Sequence, residues 1–183
     1  MTVTTYRWTL ERYHHAVDAG VFDDQPVELL RGEIVVMPPE GEPHAYYNTC
    51  GADYLRRLLG ARVQIRDAKP ITLPNNSEPE PDIAVVKPLN RVYLQHHPYP
   101  EDIFWLVEYS NSSLKKDLDL KQAIYAEAGI QEYWVVNLQQ RRLIVFRDPR
   151  LAVYQTEQIF SSGTISPAAF PEVAIALNQF LPA

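Results

Sequence analysis

The sequence has a single cysteine, Cys50, so no disulfide can form within the chain, and no zinc-type cluster surrounds it. That usage points to a reducing cytoplasm. No stretch approaches the ~18 to 20 consecutive apolar residues of a membrane span. "MTVTTYRWTLERYHH" also lacks the basic segment and apolar run of an export signal. The chain therefore reads as soluble and unexported, with no membrane partner. Neither a glycine-rich phosphate loop nor a G-x-S-x-G elbow occurs. Positive charge is in deficit too. A formal net charge of -6 argues against a protein that coats nucleic acid by bulk electrostatics, because that mode relies on clustered Lys and Arg releasing counterions. An enzyme that engages a phosphodiester locally is not excluded.

What is present suffices for one core: 183 residues at 46% hydrophobic predict a single domain, 1–183. "TLERYHHAVDAG" starts at a threonine cap and ends in glycine, predicting a helix over about residues 9–19. "VELLRGEIVVMPP" reads as a hairpin around "RG" that stops at paired prolines. From His44 to Leu59, Tyr47, Cys50, Gly51, Tyr54, Leu55, Leu58 and Leu59 keep helical spacing, and "ARVQIRD" alternates like a half-buried strand. The runs "DIAVV", "IFWLVE" and "EYWVV" are apolar on both faces, which marks central strands of a covered sheet. "RRLIVFR" and "LAVYQTEQIF" add antiparallel partners. The architecture is then α/β or α+β, a mixed central sheet flanked by helices.

Between "IFWLVEYS" and "EYWVV" a crossing helix places Leu114, Leu118, Lys121, Tyr125 and Ala128 on one stripe at a 3.6-residue period. Lys121 thus interrupts an apolar face. Asp82 opens a central strand after Pro81, and Glu108 lies in another, on the pleat face of Leu106 and Phe104. An unpaired buried carboxylate costs several kcal/mol or stays protonated, so each needs a partner. Lys121 is one candidate and a hard divalent cation is the other; Mg²⁺ is held by one or two carboxylates with water and phosphate oxygens. The plainer alternative for Lys121 is a surface ion pair with Asp117 at i, i+4. For Asp82 and Glu108 it is a strand-end carboxylate capping a loop.

Other residue groups carry less. His14 and His15 are adjacent on a helix and cannot face one site together, and His96 and His97 lie in a proline-bounded loop with no third ligand. Basic residues gather in "YLRRLLGARVQIRDAK" and "RRLIVFR", where solvated faces of a helix and a strand explain them equally well.

"EPDIAVV", "LVEYSNSS", "DLDLK" and "YAEAGIQEYWVV" together resemble the Uma-type putative restriction endonuclease family, abundant in cyanobacteria and part of the PD-(D/E)XK nuclease superfamily. The likeness extends over nearly the whole chain, with "VELLRGEIVVMPP" and the following His44 in the N-terminal half. It implies a restriction-endonuclease-like fold in which Pro81 and Asp82 are the "PD" and Glu108 the second acidic residue. The lysine expected two positions later is Ser110 here, and Lys121 on the following helix takes its place. The resemblance also implies that Glu28 adds an acidic group near the metal and that His44 lines the cleft. Two departures stand out: Tyr109 where a small β-branched residue is usual, and Asn137 where aspartate is common.

The implied activity is a metal-dependent DNA endonuclease. Asp82 and Glu108 bind Mg²⁺, with Mn²⁺ as a substitute, and Lys121 positions or activates the attacking water. Attack in line leaves a 5′-phosphate. DNA is the partner, and a homodimer suits cutting of both strands. The alternatives are a silent nucleic-acid- or protein-binding module on the same fold, and a hydrolase of another phosphoester.

Overall fold

The computed structural model describes residues 4–111 and 114–181, so Ser112 and Ser113 of the "EYSNSS" loop lie outside the described residues. Helix α1 (Leu10–Asp18) starts where expected, with the Thr9 hydroxyl accepting from the Arg12 N–H. Strands β1 (Val27–Leu30) and β2 (Glu33–Val36) form the hairpin. Arg31 and Gly32 turn it with φ of 49° and 76°, the left-handed pair that matches strand twist in a two-residue loop. Helix α2 (Glu42–Leu59) follows, then β3 (Gln64–Asp67), β4 (Ile83–Val86) and β5 (Ile103–Ser110).

A wide π turn (Lys116–Lys121) runs directly into helix α3 (Gln122–Glu127) and returns the chain to β6 (Glu132–Asn137). Strands β7 (Arg142–Arg150) and β8 (Val153–Phe160) extend the sheet, and β9 (Thr164–Ile165) with β10 (Ile175–Ala176) make a small ribbon. The main sheet is mixed, in the order β3-β4-β5-β6-β7-β8. Among the described residues only β5 and β6 pair in parallel, and the helical crossover between them is what a parallel pair requires.

The three central strands bury almost every side chain, in keeping with their two-sided apolar sequence. One face packs Trp105, Trp134, Tyr109 and Phe180 against Ala52, Leu55 and Leu59 of α2. The other packs Leu106, Val135 and Tyr133 against Ile124 and Tyr125 of α3. Each of these large side chains contributes about 1.5–3 kcal/mol on burial. The hairpin is tied to the loop that leads into β4 through Glu78, whose N–H donates to the Leu29 carbonyl at 2.7 Å.

Two expectations are corrected. Phe104 does not share the face of Leu106 and Glu108: the β4–β5 register jumps from Val85↔Trp105 to Val86↔Ile103, so Phe104 is an extra, bulged residue. It packs with Trp105 on the α2 side, against Phe170. The crossover is not a uniform 3.6-residue helix either, since the Gln122 N–H bonds to the Asp117 carbonyl five residues back.

Tyr109, the residue that departs from the expected small side chain, is accommodated by Gly51. A methyl group at position 51 would stand 2.1 Å from the Tyr109 hydroxyl. A glycine inside a helix costs roughly 1 kcal/mol relative to alanine. Close approach of the Tyr109 ring, itself stacked on Phe180, is what requires it here. Among the described residues no helix is long and apolar enough to cross a membrane.

Candidate active site

Strands β4 and β5 run antiparallel with Ile83 opposite Val107, so one further step of the register sets Asp82 opposite Glu108. Both carboxylates thus reach one end of the sheet, where β5 finishes and β4 begins. The hairpin contributes Glu28, held there because its Oε1 accepts the Glu80 N–H at 3.0 Å. The first turn of α2 brings His44, and the crossover brings Lys116 and Lys121. They line a cleft of ≈ 630 Å³ together with Glu40, Glu80 and Asp117.

Lys121 is 3% exposed, which removes the surface ion pair with Asp117 as its explanation. Its Nζ lies 2.8 Å from Glu108 Oε1 and 2.9 Å from Glu28 Oε1. The Tyr125 hydroxyl, one turn further on, also donates to Glu108 Oε1 at 2.9 Å. Five residues before Lys121, Lys116 Nζ reaches Glu28 Oε2 at 3.0 Å. In a regular α-helix positions 116 and 121 point about 140° apart. The wider π turn closes that gap and lets two ammonium groups hold one carboxylate. Asp117 is buried, and its Oδ2 accepts from the Ser110 hydroxyl at 2.7 Å. Ser110, standing where a lysine was expected, therefore ties β5 to the crossover that supplies the lysine instead.

Asp82 is fixed from two sides. Its Oδ2 accepts the Tyr109 backbone N–H, and its Oδ1 lies 2.9 Å from His44 Nε2. Asp82 and Glu108 are 8% and 4% exposed, so both carboxylates are buried and both are partnered.

The electrostatics follow from crowding. Burial alone would raise the Glu28 carboxyl, but Lys121 and Lys116 outweigh it and hold the group below its ordinary value. Glu108 is pushed up to about 8 by burial, with Asp82, Asp117 and Glu28 adding to it against the pull of Lys121. Burial lowers Lys121, yet Glu108 and Glu28 more than reverse this and keep it well above its ordinary value. His44 follows the same pattern: burial lowers it, and the bond to Asp82 with the nearby Glu40 and Glu108 raises it overall.

Glu28, Glu40, Glu80, Asp82, Glu108 and Asp117 outnumber Lys116, Lys121 and His44 around the cleft. That excess of hard oxygen donors, severe enough to favour a proton on Glu108, suits a divalent cation. In addition, one donor atom from each of Glu40, His44 and Asp82 lies within 4.8 Å of the others.

Of the residues singled out from sequence, Asp82, Glu108, Lys121, Glu28 and His44 are all brought into this one cleft. His14 is elsewhere, paired with Glu78, and His97 contacts Arg66. The basic clusters are largely spoken for: Arg56 pairs with Asp53, Arg62 with Glu172 and Arg147 with the buried Glu132. Sequence reasoning missed Glu40, Lys116 and the role of Tyr125. Tyr125 had a usable signal, since it follows Lys121 on the same inward stripe.

A family model described as "Uma2: Putative restriction endonuclease" matches residues 10–178. Among solved structures, the chain is similar to that of a putative nuclease belonging to DUF820 from Anabaena variabilis ATCC 29413. The TM-score is 0.66 at 16% identity, over 86% of this chain and 90% of that one. At that identity the likeness speaks for the fold. No curated protein sequence matches the chain.

Proposed function

The chain belongs to the Uma2 putative restriction endonuclease family, and from that premise we propose that it is a metal-dependent DNA endonuclease working as one nuclease-like domain in the cytoplasm. The observation that carries the proposal is the meeting of Asp82, Glu108 and a buried, doubly paired Lys121 at one end of the sheet. Asp82 and Glu108 would hold Mg²⁺, or Mn²⁺ in its place. The bound ion supplies neutralisation of phosphate charge and a lower pKa for the attacking water.

The chain's own residues do the rest. Lys121, kept protonated by Glu108 and Glu28, acts as a fixed cation and hydrogen-bond donor. It orients Glu108 and stabilises negative charge building on the phosphate, and it is not the group that takes the water's proton. Tyr125 fixes Glu108 from the same side, and His44 with the Tyr109 N–H fixes Asp82. Such preorganisation lets a polar site act on a transition state without reorganising during reaction. Water attacks phosphorus in line and the P–O3′ bond breaks. The water oxygen stays on a 5′-phosphate and a proton ends on the departing 3′-oxygen.

The test is incubation of purified protein with supercoiled, linear and single-stranded DNA in Mg²⁺, Mn²⁺ or EDTA, beside Asp82→Ala and Lys121→Ala. Metal-dependent cutting by wild type, lost in both folded variants, is the expected result. No cutting above background on any substrate, with no metal bound, would put a binding module ahead of the nuclease.

A further inference from the structure

We propose that Glu40, His44 and Asp82 form a second cation site at the mouth of the cleft, selective for a divalent transition metal such as Mn²⁺. The proposal rests on the nuclease reading only through Asp82, which the two sites share.

The geometry separates them. Glu108 Oε1 is turned toward Lys121 and Tyr125, whereas Asp82 Oδ1 is turned toward His44, at 2.9 Å from Nε2. With Glu40 included, one donor atom from each residue falls within 4.8 Å of the other two, close to the spacing of ligands around one ion. The local chain is built to hold them. Pro38 and Pro39 stiffen the approach to Glu40, Gly41 lies between, and His44 stands in the first turn of α2. Asp82 is pinned by the Tyr109 N–H through its other oxygen, which leaves Oδ1 aimed at the imidazole.

The donor chemistry chooses the metal. Mg²⁺ favours all-oxygen surroundings and keeps its waters, while an imidazole nitrogen beside carboxylates suits Fe²⁺ or Zn²⁺ and, because two of the three donors are carboxylates, still admits Mn²⁺. The Asp82–Glu108 pair, with oxygen donors only, has no such preference. A second ion held there would supply further neutralisation of phosphate charge beside the first.

The experiment counts bound Mn²⁺ by the electron paramagnetic resonance of the free ion, with no DNA present. Wild type, Glu40→Gln, His44→Gln and Glu108→Gln are titrated after circular dichroism confirms that each is folded. Two ions per wild-type chain are expected, and Glu40→Gln and His44→Gln each weaken one of them at least tenfold. Glu108→Gln weakens the other. Two ions in wild type that both variants at the mouth retain would overturn the second site. A single ion, insensitive to Glu40→Gln and His44→Gln but lost in Glu108→Gln, would overturn it too and leave the nuclease reading standing. A single ion lost in the mouth variants and kept in Glu108→Gln would support this site and remove Glu108 as a ligand. Absence of any bound ion would overturn both.

Discussion

Replacing Lys121 with methionine keeps the stem and removes the ammonium, so it isolates the charge that Glu108 and Glu28 share at 2.8 and 2.9 Å. Breaking a buried pair by removing one partner costs about 3–5 kcal/mol. Glu28 retains Lys116, which places Lys121→Met near the lower end, about 3 kcal/mol. Glu108→Gln is milder, about 1 kcal/mol, because Lys121 keeps Glu28 and the glutamine oxygen still accepts from Lys121 and Tyr125. In the double variant no charge remains at position 108 to be stranded, so the loss is about 2 kcal/mol rather than the 4 of the sum. The coupling of about 2 kcal/mol is read from urea unfolding at about pH 9, above the value of about 8 to which Glu108 is pushed, so that its carboxyl is ionised in wild type; unfolding is followed by the fluorescence of the buried Trp105 and Trp134. Additivity within about 0.5 kcal/mol would refute the view that Lys121 and Glu108 depend on one another.

Gly51→Ala drives a methyl into the Tyr109 hydroxyl and is expected to cost about 1–3 kcal/mol in urea unfolding, with Tyr109→Phe, which removes only that hydroxyl and keeps the buried ring, recovering a large part of it; no recovery would deny the pairing. Leu151 and Ala152 turn the β7–β8 hairpin at φ of 51° and 64°, so Leu151→Asn with Ala152→Gly should gain about 1–2 kcal/mol, and a loss in the same assay would contradict the strain. Mn²⁺ at one hundred times its dissociation constant should stabilise wild type by about 2.7 kcal/mol per site, visible as a raised Tm that EDTA abolishes. Asp82→Asn should show almost none of that gain; an unchanged gain would place the ion elsewhere.

Much of this was legible in the chain itself. Strands apolar on both faces cannot carry lone carboxylates, so Asp82 and Glu108 had to find partners, and the inward stripe through Tyr125 put Lys121 among the candidates. The hairpin, α2 and the central strands announced themselves through turn residues and periodicity. Other features depend on tertiary detail. The π turn that brings Lys116 beside Lys121 leaves no mark in a 3.6-residue count, and the Phe104 bulge shows only in the β4–β5 register. Glu40 sits in an exposed proline-rich stretch and gains meaning only from His44 and Asp82 beside it. The segment beyond β8 has no clear period. It is held by contacts made elsewhere, as when buried Glu132 accepts the Ala168 N–H. Tyr109 and Gly51 were each odd alone, an aromatic in place of a small residue and a glycine inside a helix; only packing shows that each explains the other.

The central claim is that phosphodiester hydrolysis occurs at this cleft, with Lys121 acting as a fixed cation. Single-turnover cleavage of end-labelled DNA by wild type and folded Lys121→Met, in saturating Mg²⁺ with the product ends identified, tests it most directly. The account predicts 5′-phosphate ends from wild type and a rate at least ~10²-fold lower in the variant, the loss typical of removing one preorganised charge-stabilising donor. Equal rates, or products ending in 3′-phosphate, would contradict it.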